Sequence, residues 1–153
     1  MAVLILAGCG HPSEPKPQSQ VVNGASFSFR APVGWRVEHT ASGVAASHGP
    51  ELVQVATFPL IRPYTDALFD RVAGELAVRM KGIAQETGGT LMGTKTVTAA
   101  GVRSHLYEVK VAGALDQYIF VLIGKREYQL LCRFRASSVE SFCADLLTSF
   151  RPA

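Results

Sequence analysis

The stretch Tyr118-Ile119-Phe120-Val121-Leu122-Ile123 is apolar at every position. Successive side chains of a β-strand point to opposite faces of the sheet, so a strand with this sequence has two apolar faces. Such a strand lies inside a sheet that is covered on both sides. We therefore expect an inner strand here, with helices or a tether segment packed on each face of its sheet.

This strand belongs to a run of four predicted strands that turn-like sequences connect. The four strands are predicted at residues 91–98, 102–112, 116–123 and 126–135. The connections are Ala99-Ala100-Gly101, Ala112-Gly113-Ala114 and Gly124-Lys125. Short turns containing glycine between strands predict consecutive hairpins. Alternating or apolar segments earlier in the chain predict further strands at residues 25–31, 35–40, 43–47 and 52–58.

Two helices complete the predicted fold. Residues 65–86 carry apolar side chains at helical spacing, among them Leu68, Leu76 and Met80, and Gly88-Gly89 is suited to end this helix. Ser137 and Glu140 form a capping box that opens a second helix over residues 138–150. The predicted fold class is α+β: an antiparallel sheet of about six to seven strands, with a long central helix and a C-terminal helix packed on it.

Composition limits the class of protein. The 153 residues are 48% hydrophobic and 18% charged, which is typical of a globular domain and excludes a disordered chain. Fifteen Lys and Arg against twelve Asp and Glu give a net charge of +3, too small and too dispersed for a nucleic-acid-binding face. The densest basic run is Lys125, Arg126, Arg133 and Arg135, which we interpret as a solvated strand face in preference to a patch for an anionic partner.

The amino-terminal segment predicts export. Leu6-Ala7-Gly8-Cys9 ends a short apolar run and matches a lipobox, in which two small residues precede the cysteine that receives a diacylglycerol. Two acyl chains anchor a protein stably to a membrane. We therefore divide the chain into a signal remnant at residues 1–8, a lipidated Cys9 with a Pro/Ser/Gln-rich tether at 9–20, and one domain at 21–153. The expected location is the extracytoplasmic face of the cell membrane.

The signal itself is incomplete. Only eight residues precede Cys9 and none is Lys or Arg, whereas a signal has a positive n-region and a longer apolar stretch. We expect the true start to lie upstream. The alternative is that this apolar run is an edge strand of a cytosolic protein.

The two other cysteines are predicted to pair. Cys132 lies on the apolar face of a predicted strand, and Cys143 lies on the apolar stripe of the last helix. In an oxidising compartment a strand-to-helix disulfide is favoured, and closing this short loop contributes about 3 kcal/mol. In a reducing compartment they remain two buried thiols.

The sequence Phe27-Ser28-Phe29-Arg30-Ala31-Pro32-Val33-Gly34-Trp35 resembles the start of the PsbP-like fold family, in which an alternating strand runs into a Pro-x-Gly-Trp turn. The stretch from Ala100-Gly101 to Tyr107-Glu108 is similar to that family's glycine-centred hairpin. The resemblance implies a PsbP-like α/β/α sandwich from Ala25 onward. With the lipobox, it is closest in character to LpqN-type and DcrB-type surface lipoproteins. It implies no catalytic residue, because members share a fold and not a function.

Few residues stand out as candidate sites. His39 and His105 continue apolar strand faces, and histidines at such positions are more often buried structural groups than ligands. Trp35 and Tyr64 are candidates for an aromatic groove, although Trp35 is more simply explained as a core anchor. No pair of histidines or cysteines has metal-ligand spacing, so we expect no metal and no cofactor.

Three hypotheses of function follow. The first is a non-enzymatic, membrane-anchored module that binds an envelope protein, lipid or glycan through a sheet edge or a helix–sheet groove. The second is a small envelope hydrolase or transferase that uses His39 or His105. The third, an intracellular partner-binding protein, applies only if the chain is not exported.

Overall fold

The computed structural model describes residues 19–136 and 141–153. The signal remnant, Cys9 and most of the predicted tether therefore lie outside the described residues, as does the predicted capping box of Ser137 and Glu140.

In the described part of the chain, ten strands form two antiparallel sheets. In chain order the strands are β1 (Ser19–Asn23), β2 (Phe27–Pro32), β3 (Arg36–His39), β4 (Gly43–His48), β5 (Glu51–Pro59), β6 (Thr90–Ala99), β7 (Val102–Val111), β8 (Ala114–Ile123), β9 (Arg126–Arg135) and β10 (Arg151–Pro152). The larger sheet has seven strands in the order β3-β4-β5-β9-β8-β7-β6. The smaller sheet has the order β1-β2-β10.

The two helices cover opposite faces of the larger sheet. Helix α1 (Phe69–Glu86), which follows a 3-10 turn at Asp66–Leu68, places Leu76 and Met80 against Tyr107 and Phe120. Helix α2 (Ser141–Ser149) and the smaller sheet cover the other face, where the larger hydrophobic core lies. Burying apolar side chains on both sides of the sheet is the main force that stabilises this layered arrangement.

The predicted α+β fold is confirmed, and so is its inner strand. Strand β8 lies between β7 and β9. Ile119 and Val121 enter the core beneath α2, whereas Tyr118 and Phe120 pack under α1. Both faces of the strand are therefore buried, as its uninterrupted apolar sequence predicts.

The smaller sheet is not anticipated by the sequence. Strand β1 begins at Ser19, two residues before the predicted domain start at Val21, and pairs with β2 from Ser19 opposite Pro32 to Asn23 opposite Ser28. The last two residues of the predicted tether therefore belong to the folded domain.

The predicted disulfide is present and joins α2 to the larger sheet. Cys132 in β9 and Cys143 in α2 are both buried, and their Cα atoms are 5.6 Å apart. The bond links residues that are separated by 11 positions in sequence. It fixes α2 covalently on the face that its apolar residues cover.

The predicted hairpins are formed with two-residue turns. Ala112 and Gly113 connect β7 to β8, and both adopt left-handed backbone conformations, with φ of 38° and 85°. Positive φ at both turn positions matches the twist of the flanking strands. Glycine adopts this conformation freely, whereas the Cβ of Ala112 makes it unfavourable.

Helix α1 covers only part of its face of the sheet. It packs on β6 and β7 and on Tyr118 and Phe120 of β8. The same face of β5 and β9 carries Gln54, Gln129 and Leu131, which are only half-buried. Beside α1 there is consequently an open strip of sheet, and its outer end is bordered by the loop that follows β5.

Candidate docking site

His105 is a packing residue in this structure. Its ring stacks on that of Phe69 with centroids 3.9 Å apart, and its Nε2–H donates to the carbonyl oxygen of Phe69 at 3.0 Å. The guanidinium of Arg103 lies 4.2 Å from the centroid of the Phe69 ring. These contacts hold the start of α1 against β7, and His105 is buried there.

His39 lies on a different part of the sheet. It ends strand β3 at the edge of the seven-stranded sheet, whereas β7 is separated from β3 by four strands. Its ring is exposed and makes no hydrogen bond or ion pair within residues 19–136 and 141–153. The two histidines are therefore not brought together.

Trp35 and Tyr64 do not form a common groove. Trp35 packs edge-on against Phe142 of α2, with ring centroids 4.9 Å apart, which agrees with its interpretation as a core anchor. Tyr64 lies near the start of α1, where it lines a cavity of about 450 Å³ together with Asp66 and Arg103. Burial raises the pKa of Tyr64, and the carboxylate of Asp66 raises it further.

Of the basic run predicted from the sequence, Lys125, Arg126 and Arg135 are exposed, whereas Arg133 is half-buried and pairs with a buried carboxylate. Asp116 is fully buried and receives two hydrogen bonds of 2.7 Å from the guanidinium of Arg133. This hydrogen bonding raises the pKa of Arg133. Glu127, which lies on the same face of β9 as Arg133, is also buried. On this face of the sheet, each of the two buried carboxylates is therefore paired with a partly exposed guanidinium.

A cleft lies at the outer end of the open strip of sheet beside α1, between α1 and the loop that follows β5. We call it the loop groove. Its volume is about 560 Å³. The residues that line it are Phe58, Pro59, Leu60, Ile61, Arg62, Arg79, Glu127 and Gln129.

The apolar side chains of the loop groove are unusually exposed. The side chain of Ile61 is 99% exposed and that of Phe58 is 40% exposed. Single exposed apolar residues are common on protein surfaces, but here two of them border one cleft.

Two of the residues that line the loop groove form an ion pair with each other. The guanidinium of Arg79 in α1 donates to a carboxylate oxygen of Glu127 in β9, and it also lies 5.5 Å from the centroid of the Phe120 ring. Glu127 is the one acidic residue among those that line the groove, and Arg79 neutralises it. The groove therefore offers no free negative charge.

Two further properties limit the chemistry of the described residues. Within residues 19–136 and 141–153, no three His, Cys, Asp or Glu side chains are grouped as a metal site requires. Neither α1 nor α2 is long and apolar enough to span a membrane. The sequence alone gave no signal for the loop groove beyond an apolar run between two prolines, Phe58-Pro59-Leu60-Ile61-Arg62-Pro63.

Comparison with known proteins gives a likeness of fold. No protein-family model and no curated protein sequence matches the chain. The solution structure of cyanobacterial PsbP (CyanoP) from Synechocystis sp. PCC 6803 is similar with a TM-score of 0.67 and 14% sequence identity, over 97% of this chain and 99% of that one. A crystal structure from Bacteroides thetaiotaomicron VPI-5482 has a TM-score of 0.48 and 9% identity, over 91% of this chain and 49% of that one. The chain therefore has a PsbP-like fold.

Proposed function

We propose that this protein is a lipid-anchored accessory module on the extracytoplasmic face of the cell membrane. It acts by binding an envelope component, which is a protein, a lipid or a glycan. The observation that carries the binding role is the loop groove, an exposed apolar cleft beside a partly uncovered sheet. In character the protein is closest to the LpqN-type and DcrB-type surface lipoproteins that its sequence resembles.

The anchoring part of the proposal rests on the amino-terminal sequence. Leu6-Ala7-Gly8-Cys9 has the residue types that lipidation and cleavage require. The disulfide between Cys132 and Cys143 supports export, because such bonds persist in oxidising compartments and are rare in the cytosol. After lipidation of Cys9, the two remaining cysteines are both used.

The alternative, a hydrolase or transferase that uses His39 or His105, has less support. A general base must reach the proton that it removes from a substrate. His105 is stacked against Phe69 and donates to a backbone carbonyl, so it is poorly placed for that task. His39 is accessible, but no acid orients its ring within the described residues.

The intact mass of the full chain, extracted from its native membrane without reductant, tests the proposal. We expect a diacylglycerol adduct on a chain that begins at Cys9, with two hydrogens fewer than the reduced form. An unmodified chain that retains the residues before Cys9 and has free thiols would contradict both anchoring and export.

Two substitutions separate binding from catalysis. His39→Ala removes the accessible imidazole, and His105→Gln removes the other while retaining an N–H that can donate to the carbonyl oxygen of Phe69. We expect the cellular phenotype of a deletion strain to be complemented by both variants, provided that each keeps the wild-type melting temperature. Loss of complementation by a folded variant would favour the enzyme.

A further inference from the structure

The loop groove has the properties of a preformed binding surface. The backbone N–H of Leu60 donates to the carbonyl oxygen of Lys125 at 2.8 Å, and that of Tyr64 donates to Gly124 at 2.7 Å. These two bonds attach both ends of the loop to the turn between β8 and β9. Pro59 and Pro63 further restrict the backbone. A loop that is already ordered loses little conformational entropy on binding.

The tip of this loop presents an apolar side chain to solvent. Ile61 is 99% exposed although the loop that carries it is fixed. Within the described residues, no other side chain covers Ile61. Binding energy at protein interfaces is concentrated in a few such residues that become fully desolvated.

Basic residues adjoin the loop, since Arg62 is part of it and Lys125 belongs to the turn that accepts a hydrogen bond from Leu60. Arg62, Lys125 and Arg126 are exposed, and none of them forms an ion pair within the described part of the chain. Arg126 makes one side-chain hydrogen bond, to the hydroxyl of Ser26 at 3.2 Å. The acidic residue of the groove, Glu127, is already neutralised. A ligand that complements the groove therefore combines apolar and negatively charged groups.

The direction of chain entry favours a protein ligand over the membrane surface. Ser26, which contacts Arg126, lies in the turn between β1 and β2, at the end of the larger sheet where the loop and the β8–β9 turn also lie. Ser19 lies at the opposite end of β1, so the segment that precedes it joins the domain on the side away from the loop. If Cys9 is lipidated, its tether joins the domain at the end of β1 remote from the loop, which favours a partner in the envelope over the anchoring membrane.

We propose that the loop groove binds a partner protein through an acidic, apolar segment, with Ile61 as the central contact and Arg62 and Lys125 as its electrostatic partners. This inference rests on the binding role proposed above and adds the chemistry of the ligand. It applies to the loop groove alone and uses neither histidine.

A peptide library tests this inference directly. The full chain is presented to a phage-displayed library of random dodecapeptides, and the enriched peptides are synthesised and measured by fluorescence anisotropy. We expect enrichment of peptides that combine Asp or Glu with Leu, Ile, Phe or Trp. Enrichment of neutral or basic peptides, or no enrichment, would overturn the inference.

Substitutions at exposed positions assign the binding to the groove. Ile61→Ser is expected to weaken peptide binding at least tenfold, and Lys125→Glu about fivefold with a smaller dependence on salt. The matched controls are Val78→Ser, on an exposed position of α1, and Lys110→Glu, near the end of β7. The controls are expected to change the affinity less than twofold. Equal effects of the groove and control variants would contradict the proposed site.

A membrane ligand is distinguished by sedimentation with vesicles of equal parts phosphatidylglycerol and phosphatidylcholine, using protein whose lipid anchor has been removed by proteolysis before the domain. Binding to these vesicles that is lost in Ile61→Ser, without peptide binding, would replace the protein partner with a lipid surface. The intact mass tests the lipid anchor independently of peptide binding. A lipidated chain that enriches no acidic peptide refutes only the partner chemistry, and an unlipidated chain that enriches them refutes only the anchor.

Discussion

Replacing Arg133 with leucine tests the role of the charge pair inside the sheet. Asp116 has no exposed surface, and both of its oxygens accept hydrogen bonds from Arg133 at 2.7 Å. Arg133→Leu leaves the carboxylate buried without a partner. Breaking a buried pair in this way typically costs 3–5 kcal/mol. Because the side chain of Arg133 is 36% exposed, solvent screens the pair and we expect the lower value, about 3 kcal/mol.

The assay is urea denaturation and thermal unfolding of the wild type and the variant, both oxidised. In a domain of this size 1 kcal/mol corresponds to about 3 °C, so the melting temperature should fall by about 10 °C. The double variant Asp116→Asn/Arg133→Leu removes the buried charge as well as its partner, and should recover more than half of the lost stability. Lys110→Leu is the control at an exposed strand position, and should stay within about 0.5 kcal/mol of the wild type.

A loss of less than about 1 kcal/mol for Arg133→Leu would refute this reasoning, since it would mean that the pair behaves as an exposed salt bridge. A double variant that is as unstable as the single variant would also refute it. In that case the cost would come from lost packing of the arginine stem and not from the unpaired carboxylate.

Three further predictions concern stability. Reduction of the bond between Cys132 and Cys143 should lower the free energy of unfolding by about 3 kcal/mol, and an unchanged urea midpoint in reductant would contradict this. Ala112→Asn should raise the free energy of unfolding by about 1 kcal/mol, because Asn adopts the positive φ of this exposed turn at lower cost; a fall in melting temperature would show that the turn has another constraint. Burial, and to a lesser extent Asp116, raises the pKa of Tyr118, so the unfolded chain releases this proton first as the pH rises. The contribution of Tyr118 to the free energy of unfolding is therefore complete below about pH 10 and is lost progressively as the pH rises further. Tyr118→Phe should flatten this alkaline decline in stability. An identical decline in both proteins would contradict the assignment.

The elements that the sequence predicts well are those with a strong local pattern. The bounds of β9, Arg126–Arg135, agree with the prediction, and α1 ends at Glu86 as predicted. In β9 every second side chain is apolar, and in α1 the apolar residues follow the helical period. In such segments burial of one face and local conformational preference favour the same structure.

The smaller sheet could not be predicted because its signal is not local. Strand β1, Ser19–Asn23, is short and mostly polar, and β10 consists of only Arg151 and Pro152. Both are strands because β2 lies between them and pairs with each. Strand formation there depends on tertiary pairing, and the adjoining proline-rich segment makes the same residues resemble a tether.

The features of the candidate site that the sequence does not reveal have a similar origin. Glu127 lies in a strand where charged and apolar residues alternate, a pattern typical of a solvated face. Its partner Arg79 lies 48 residues away on α1, so no local pattern reveals that the carboxylate is buried. The sequence also gives no indication that Ile61 is exposed, for the opposite reason. An apolar residue beside a strand is normally buried, and only the fixed path of the loop keeps this one in solvent.

The likeness to CyanoP concerns the fold alone. At 14% identity the two chains share an architecture, and the core residues that determine it carry little information about a ligand. Loops supported by a rigid scaffold can change without loss of the fold. The loop between Pro59 and Tyr64 is such a segment, because it contributes Ile61 and Arg62 to the surface while its main-chain bonds attach it to the β8–β9 turn. Exchanging this loop between two proteins of the same fold should therefore transfer binding preference without changing the fold of the recipient.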